Sequence, residues 1–493
     1  MKQPSSPRSH AHHRSDIGRL RRAGPWALAE AFISAFATFL STLIVARILT
    51  PHDFGLATIA FAVVALIQMI ALAGLPEAML RMPTLVTAIS DQVFWTMLFF
   101  GIAGTAIGWM IAWPLALFYE SPLVFWLIAV QAVDCVLLAL IQFPTVLLTR
   151  KMRIRSLAVR ALGFKAASIA VTIAVAFAGG GPWALVAGTL TGSVVSVVML
   201  WTTQSRLPSW RPPGREIAGI LRTSALIMAE ASLTSLAIRG FILLFGKFHG
   251  LAALGLLNFA NRLVDELGNM LSSAVNRVAV TFLSSIRRKG GSLVRAFELG
   301  SFGMTALVAP MFFGLAAVAP DIVPLIFGEH WNPAVPAVQL LAIAWSIRLT
   351  RVMGASLMRT INAQGPLVVN AAVMLVYCMV AVWISQDWGF VLAAGAYAAR
   401  MLVILPAGVA AIARAGVPVR RQIGSVTVPL GLAAAMAVAV SALRLTAPLS
   451  DLGPFQRALV CAVAGALVYS AALFALTRQQ VLALARIARP PSR

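Results

Sequence analysis

Ala27-Leu-Ala-Glu-Ala31 returns two hundred residues later within Leu226-Ile-Met-Ala-Glu-Ala231, and the same offset superposes Arg47 on Lys247 and Gly55 on Gly255. At an offset near 210, Pro114-Leu-Ala-Leu-Phe-Tyr-Glu120 aligns with Pro324-Leu-Ile-Phe-Gly-Glu329 and Gly104 falls on Gly314. An ordered series of matches of this kind marks an internal repeat. Within a membrane protein, repeats of this length are the hallmark of transporter folds, in which two related halves enclose a path across the bilayer.

The composition places the chain in a bilayer. Of 493 residues, 60% are hydrophobic and only 11% charged, with a mean hydropathy of +0.89. That leaves too little polar surface for a water-soluble protein of this length. Fourteen apolar runs, each long enough to cross a hydrocarbon core of about 30 Å, extend from 26–46 to 455–476, including runs at 223–246, 251–280 and 334–358. The first run carries Glu30 and is too long for a secretory signal, so it reads as an uncleaved first helix.

Basic residues fix the expected orientation. Most of the 39 Lys and Arg residues fall before Trp26, at Arg150–Lys165, at Arg206–Arg222, at Arg287–Arg295, at Arg414–Arg421 and after Arg478. The alternate gaps are nearly free of them, and only Arg47, Lys247, Arg444 and Arg457 lie toward that other side. Short basic loops stay cytoplasmic, so both termini are expected there, in a multi-pass membrane protein. The net charge of +23 then reflects topology and contact with anionic headgroups, and nucleic-acid binding is not expected.

The expected organisation is a disordered basic tail (1–25), a first lobe of six helices (26–201), a cytoplasmic linker (202–222), a second lobe (223–412), two further helices (424–476) and a basic tail (477–493). The linker rests on Leu207-Pro-Ser-Trp-Arg-Pro-Pro-Gly214, where consecutive prolines break helices. An even number of helices per lobe makes the repeat parallel. The expected fold is therefore all-α, with about fourteen transmembrane helices and two six-helix lobes around a central cavity.

Five arginines lie well inside the runs, all in the second lobe: Arg239, Arg262, Arg348, Arg351 and Arg400. A mid-helix arginine costs about 2.5–3.5 kcal/mol on insertion scales, so five facing lipid would be a severe burden. Asp134, Asp265 and Glu266 are too few to neutralise them. Either they line a hydrated cationic cavity or each is paired with an acid on its own or a neighbouring helix. The eighth run adds a polar stripe, with Asn258, Arg262, Asp265, Asn269, Ser272 and Asn276 at helical spacing on one face. Buried arginines with paired donors suit phosphate oxygens, so Arg239, Arg262, Arg348, Arg351, Arg400, Asn258, Asp265 and Asn269 form the candidate substrate site. Glu30 and Glu230 occupy matching depths in the two lobes and are candidates for ion coupling or simple helix capping.

Catalytic and metal chemistry finds little footing. No P-loop, nucleophile elbow or His-x-x-x-His pair is present. The three cysteines, Cys135, Cys378 and Cys461, all fall within apolar runs and read as small buried hydrophobes. The His10-Ala-His12-His13 cluster sits in a solvated tail, and no cofactor is expected.

Ala46-Arg47-Ile-Leu-Thr-Pro51-His-Asp53-Phe54-Gly55-Leu56 resembles a turn motif of bacterial polysaccharide flippases, the Wzx-type polysaccharide transporter family. Leu148-Thr-Arg150-Lys-Met-Arg153-Ile-Arg155 and Gly181-Pro-Trp-Ala-Leu-Val-Ala-Gly188 extend the likeness. The resemblance implies a two-lobed exporter fold like that of multidrug exporters. It also implies a polyprenyl-diphosphate-linked oligosaccharide as substrate, moved for exopolysaccharide, capsule or O-antigen synthesis beside the polymerase and export machinery of the same pathway. Pro51 and Gly55 break the chain, Asp53 can cap the second helix, and Arg47 can anchor at the outer interface. Two other functions are compatible with the chain: a cation-coupled multidrug exporter, and a membrane polysaccharide polymerase or ligase.

Overall fold

A computed structural model describes residues 37–72, 74–82, 86–204, 206–212, 214–288, 293–350, 365–403, 405–414, 416–446 and 453–488. Glu30, Arg351 and the histidine cluster of the tail lie outside them. The described chain is helical: α1 (Ala37–Ile48), α2 (Pro51–Leu72), α3 (Leu75–Arg81), α4 (Thr87–Phe118), α5 (Pro122–Ala132), α6 (Asp134–Arg150), α7 (Ile154–Phe177) and α8 (Trp183–Trp201). It continues through α9 (Arg215–Arg288), α10 (Leu293–Phe327), a 3-10 turn at Glu329–Ala334, α11 (Val335–Thr350), α12 (Gly365–Ile384), α13 (Phe390–Val403), α14 (Leu405–Arg414), α15 (Val419–Arg444) and α16 (Pro454–Ala488).

Eleven spans among the described residues are long and apolar enough to cross a membrane. The difference from fourteen lies in three runs. The runs expected at 223–246 and 251–280 fall within Met228–Asn269 as two helices that meet at Gly250, with φ 84° and ψ 164°. Glycine alone adopts that backbone without strain. The runs at 26–46 and 334–358 extend beyond the described residues. Large apolar side chains such as Met110, Phe177 and Val438 are more than two-thirds exposed, as lipid-facing residues are.

The chain divides into two compact units. The first holds residues 1–45, 67–117 and 121–224; the second holds 46–66, 118–120 and 225–493. In the first, α7 packs along α8, and α6 packs on both. A core of Leu75, Met79, Phe94, Met97 and Phe143 joins α3, α4 and α6. Asp134 Oδ2 accepts from Gln68 Nε2 at 2.9 Å, so the acid of α6 has a partner on α2. The segment before α9 is fastened to α4: Arg206 pairs with Asp91 at 2.7 Å, and Trp95 Nε1 donates to the Ser209 carbonyl at 2.9 Å. Helix α9 begins at Arg215, ahead of the apolar run expected at 223–246.

In the second unit, α10 packs against α11, α15 and α16. Ala309, Phe313, Ala433, Met436, Val440, Cys461 and Tyr469 form their common core. Asp321 near the end of α10 meets Arg444 at 3.0 Å and Arg457 at 2.8 Å. One buried carboxylate thus ties the last turn of α15 and the first turn of α16 to α10. All three cysteines are free and buried.

Candidate functional site

The turn before α2 is a reciprocal cap. Asp53 Oδ2 accepts from the Thr50 amide at 3.0 Å and from its hydroxyl at 2.8 Å, while the Asp53 amide donates back to Thr50 Oγ1 at 3.2 Å. Thr50 is the capping residue and Asp53 its partner at the third helical position, with Pro51 preset for the first. Arg47 extends from this turn to the last carbonyls of α10, with Nε to Ile326 O at 2.8 Å and Nη2 to Leu325 O at 2.7 Å. Trp331 Nε1 donates to Ala46 O at 2.7 Å.

The repeat appears here as a reciprocal set of contacts. A Cβ on Gly55 would lie 1.9 Å from the Leu251 carbonyl oxygen, and one on Gly255 would lie 1.7 Å from that of Pro51. Position 55 meets 251 and position 255 meets 51, which is the pattern of a twofold axis between equivalent helices. The basic residues obey the same exchange. Arg47 caps the end of α10, and its counterpart Lys247 caps the end of α4, donating to Phe118 O at 2.6 Å and to Glu120 at 3.2 Å. Tyr119 donates to Leu243 O at 2.6 Å, and burial pushes its hydroxyl pKa above the ordinary tyrosine range. All four basic residues expected on the side away from the arginine-rich loops therefore have fixed partners: Arg47 and Lys247 on helix ends, Arg444 and Arg457 on Asp321.

Deeper in the second unit, three helices bring the charged residues together. Asp265 of α9 accepts from Trp345 Nε1 at 2.7 Å and from Asn261 Nδ2 at 2.5 Å. Arg348 and Arg400 both lie within electrostatic reach of it. Arg348 stacks over Trp345, three residues earlier on α11, at 4.1 Å from the ring centroid. Arg400 stacks over Tyr397, three residues earlier on α13, at 3.5 Å, and donates to the Tyr397 carbonyl at 2.5 Å. Arg239 also acts on Tyr397. Such stacking suits guanidinium, which is weakly hydrated and keeps its in-plane donors available. Two arginines thus act on one carboxylate, leaving a formal excess of one positive charge, with Arg239 acting on the neighbouring Tyr397.

The other candidates with described side chains lie elsewhere on α9. Arg262 and Asn258 are half-buried on α9, and Arg262 acts on Glu266 in place of Asp265. Asn269 is exposed and Glu230 half-buried. The side chains of Ser272 and Asn276 lie outside the described residues. Sequence reasoning missed Trp345, Tyr397 and Asn261, although the signal is present: Trp345-Ser-Ile-Arg348 and Tyr397-Ala-Ala-Arg400 are the same aromatic-x-x-Arg pattern, which puts ring and guanidinium on one helical face. Among the described residues, no group of three His, Cys, Asp or Glu side chains is placed to hold a metal.

Comparison with known proteins adds to this geometry. Residues 44–336, more than half of the chain, match the family model described as polysaccharide biosynthesis protein. The succinoglycan biosynthesis transport protein ExoT of Rhizobium meliloti is 26% identical over 309 residues, an alignment that spans 63% of each chain. The lipopolysaccharide biosynthesis protein WzxC of Escherichia coli is 21% identical over 328 residues, 66% of each chain. Among solved structures, the lipid II flippase MurJ in an inward closed conformation superposes with a TM-score of 0.74 at 11% identity, covering 92% of this chain and 99% of that one. An inward-facing multidrug resistance MATE family transporter superposes with a TM-score of 0.62 at 12% identity, covering 80% and 95%. These likenesses show the all-α membrane fold of such transporters and bear out the Wzx-type resemblance read at Ala46–Leu56. On the family match over residues 44–336, the chain belongs to the polysaccharide biosynthesis protein family.

Proposed function

We propose that this chain flips a polyprenyl-diphosphate-linked oligosaccharide across the inner membrane by alternating access. The observation that carries the reading is the arginine cluster on Asp265. Arg348 and Arg400 are held against aromatic rings, Arg239 acts on the same tyrosine, and one acid serves the group. Without a ligand the excess positive charge is costly at membrane depth. A diphosphate supplies the missing negative charge and accepts paired guanidinium donors, while the lipid tail stays in the bilayer. Asp265 and Trp345 orient Arg348, so that little side-chain ordering remains to be paid on binding.

Arg262, Asn258 and Asn269 extend the same helix face and would meet the first sugars, and Arg351 remains a candidate from the sequence. Glu230 and Glu30, equivalent positions of the sequence repeat, remain candidates for ion coupling. The reading places both termini in the cytoplasm and takes residues 26–201 and 223–412 as the two moving lobes. It treats the reciprocal contacts at Gly55, Gly255, Arg47 and Lys247 as the outer closure that must separate for release. A drug exporter for cationic compounds would want acidic residues where this chain has arginines. The reading needs no catalytic residue, which sets it apart from a polymerase or ligase.

The test is transfer of a fluorescent polyprenyl-diphosphate oligosaccharide in proteoliposomes, wild type against Arg348→Gln and Arg400→Gln. Loss of one arginine–diphosphate interaction of about 1.5–3 kcal/mol corresponds to transfer slowed by tenfold or more. Unchanged transfer in well-folded double variant would defeat the assignment of this cluster to the diphosphate.

A further inference from the structure

A second cationic site lies far along the chain from this cluster. The first turns of α10 and α15 and the final part of α16 enclose a cavity of about 550 Å³ lined by Arg295, Arg420, Arg421, Glu298, Gln479 and Gln480. Leu299, Phe302, Gly424 and Ser425 form the rest of its wall. Three guanidinium groups face one carboxylate. Glu298 lies 3.4 Å from the Arg421 Nε and is the one acid among the residues that line the cavity.

The placement of these arginines is locally unfavourable. Arg295 falls in the first turn of α10, and Arg420 and Arg421 fall in the first turn of α15, and neither turn contains an acid. Helix N-termini carry partial positive charge and disfavour cations. Two such ends and three arginines converge on one concave space, with two glutamine amides adding neutral donors. An anion resolves the conflict, and the size of the cavity, the hydrogen-bond donors and the apolar wall at Leu299 and Phe302 suit a phosphate diester carrying a glycerol and lipid tail. Basic pockets between membrane helices on the arginine-rich side are the usual seats of anionic headgroups. Helices α15 and α16, which build two walls of the cavity, lie outside residues 44–336 that match the family.

We propose that this cavity binds a phosphate group, that of an anionic phospholipid such as phosphatidylglycerol, as a site separate from the Asp265 cluster. The inference is independent of what the chain transports, because its readout is lipid binding. The full-length protein is placed in phosphatidylcholine nanodiscs, and binding of a fluorescent phosphatidylglycerol is measured at fixed ionic strength. Arg420→Gln with Arg421→Gln is expected to weaken binding by about 25-fold, taking roughly fivefold per basic residue. Glu298→Gln removes the one acid and is expected to tighten binding several-fold, a gain that misfolding does not mimic. A parallel arm offers inorganic phosphate as competitor at millimolar concentration. Full displacement of the lipid by inorganic phosphate would overturn the lipid as ligand in favour of a free anion. Equal binding by wild type, the arginine variant and Glu298→Gln would overturn the site altogether.

Discussion

A single methyl group at position 55 is expected to unlatch the outer closure. On Gly55→Ala the new Cβ would start 1.9 Å from the Leu251 carbonyl oxygen and 2.7 Å from its carbon, where ordinary contact begins at 3.4 Å. The obstacle is backbone, so no rotamer relieves it, and α2 must move away from the second segment of α9. That displacement stretches the bonds of Arg47 to Leu325 and Ile326, at 2.7 and 2.8 Å, and of Lys247 to Phe118, at 2.6 Å. These bonds are partly exposed, so each contributes about 0.5–1 kcal/mol and the three together about 2 kcal/mol. A loss of that size shifts a two-state equilibrium by about thirtyfold. Spin labels at His52 and Ala252, which are exposed and equivalent in the repeat, report the change by pulsed electron paramagnetic resonance in nanodiscs, with the three buried cysteines replaced by Ala. Wild type is expected to give one short distance and Gly55→Ala a second, longer population. Gly255→Ala should do the same, because its Cβ would meet Pro51 reciprocally. Identical distance distributions in monodisperse wild type and both variants would refute the idea that this crossing holds the ends shut.

Other outcomes are expected from the charge clusters and the cap. Asp321→Ala leaves Arg444 and Arg457 with an uncompensated buried charge and should destabilise the protein by about 3–5 kcal/mol, read as a lower thermal midpoint in detergent. Replacing Asp321, Arg444 and Arg457 together by Leu should recover most of that loss. Asp265→Ala should lower the midpoint and also weaken Arg348-dependent transfer, because Trp345 and both stacked arginines lose their common partner. Thr50→Ala removes the cap of α2 and should cost about 1 kcal/mol, visible as faster hydrogen exchange at the first turn of that helix.

The repeat was legible in the sequence because it is carried by residues with sharp physical demands. Glycines at 55 and 255 exist where backbones nearly touch, and basic residues at 47 and 247 exist where helix ends need donors, so both survive as a visible echo. The excess of arginine over acid at membrane depth was equally legible, since charge in an apolar run stands out. What the sequence concealed was grouping. The count of acids in the second lobe showed that few were available, but not that Asp265 serves Arg348 and Arg400 while Arg262 acts on Glu266. The aromatic partners were hidden because Trp345 and Tyr397 look like ordinary membrane residues until helical spacing to an arginine is considered. The break at Gly250 was legible as well, since 223–246 and 251–280 read as two helices and the backbone turns at that residue of positive φ. The prolines suggested a break ahead of α9, yet Arg206 and Trp95 pin the segment before that helix to α4 by contacts that no local pattern encodes.

The Asp321 tie has a consequence for how the molecule is made. Asp321 enters the membrane with α10, but Arg444 and Arg457 are synthesised more than a hundred residues later, which at about 5–20 residues per second is on the order of ten seconds. Through that interval α10 holds a carboxylate with neither of the two arginines that compensate it in the finished protein. Helices α15 and α16 therefore bring the charges that α10 waits for, and a chain stopped before Val419 should be recognised by membrane quality control as unfinished, however well its first twelve expected spans have inserted.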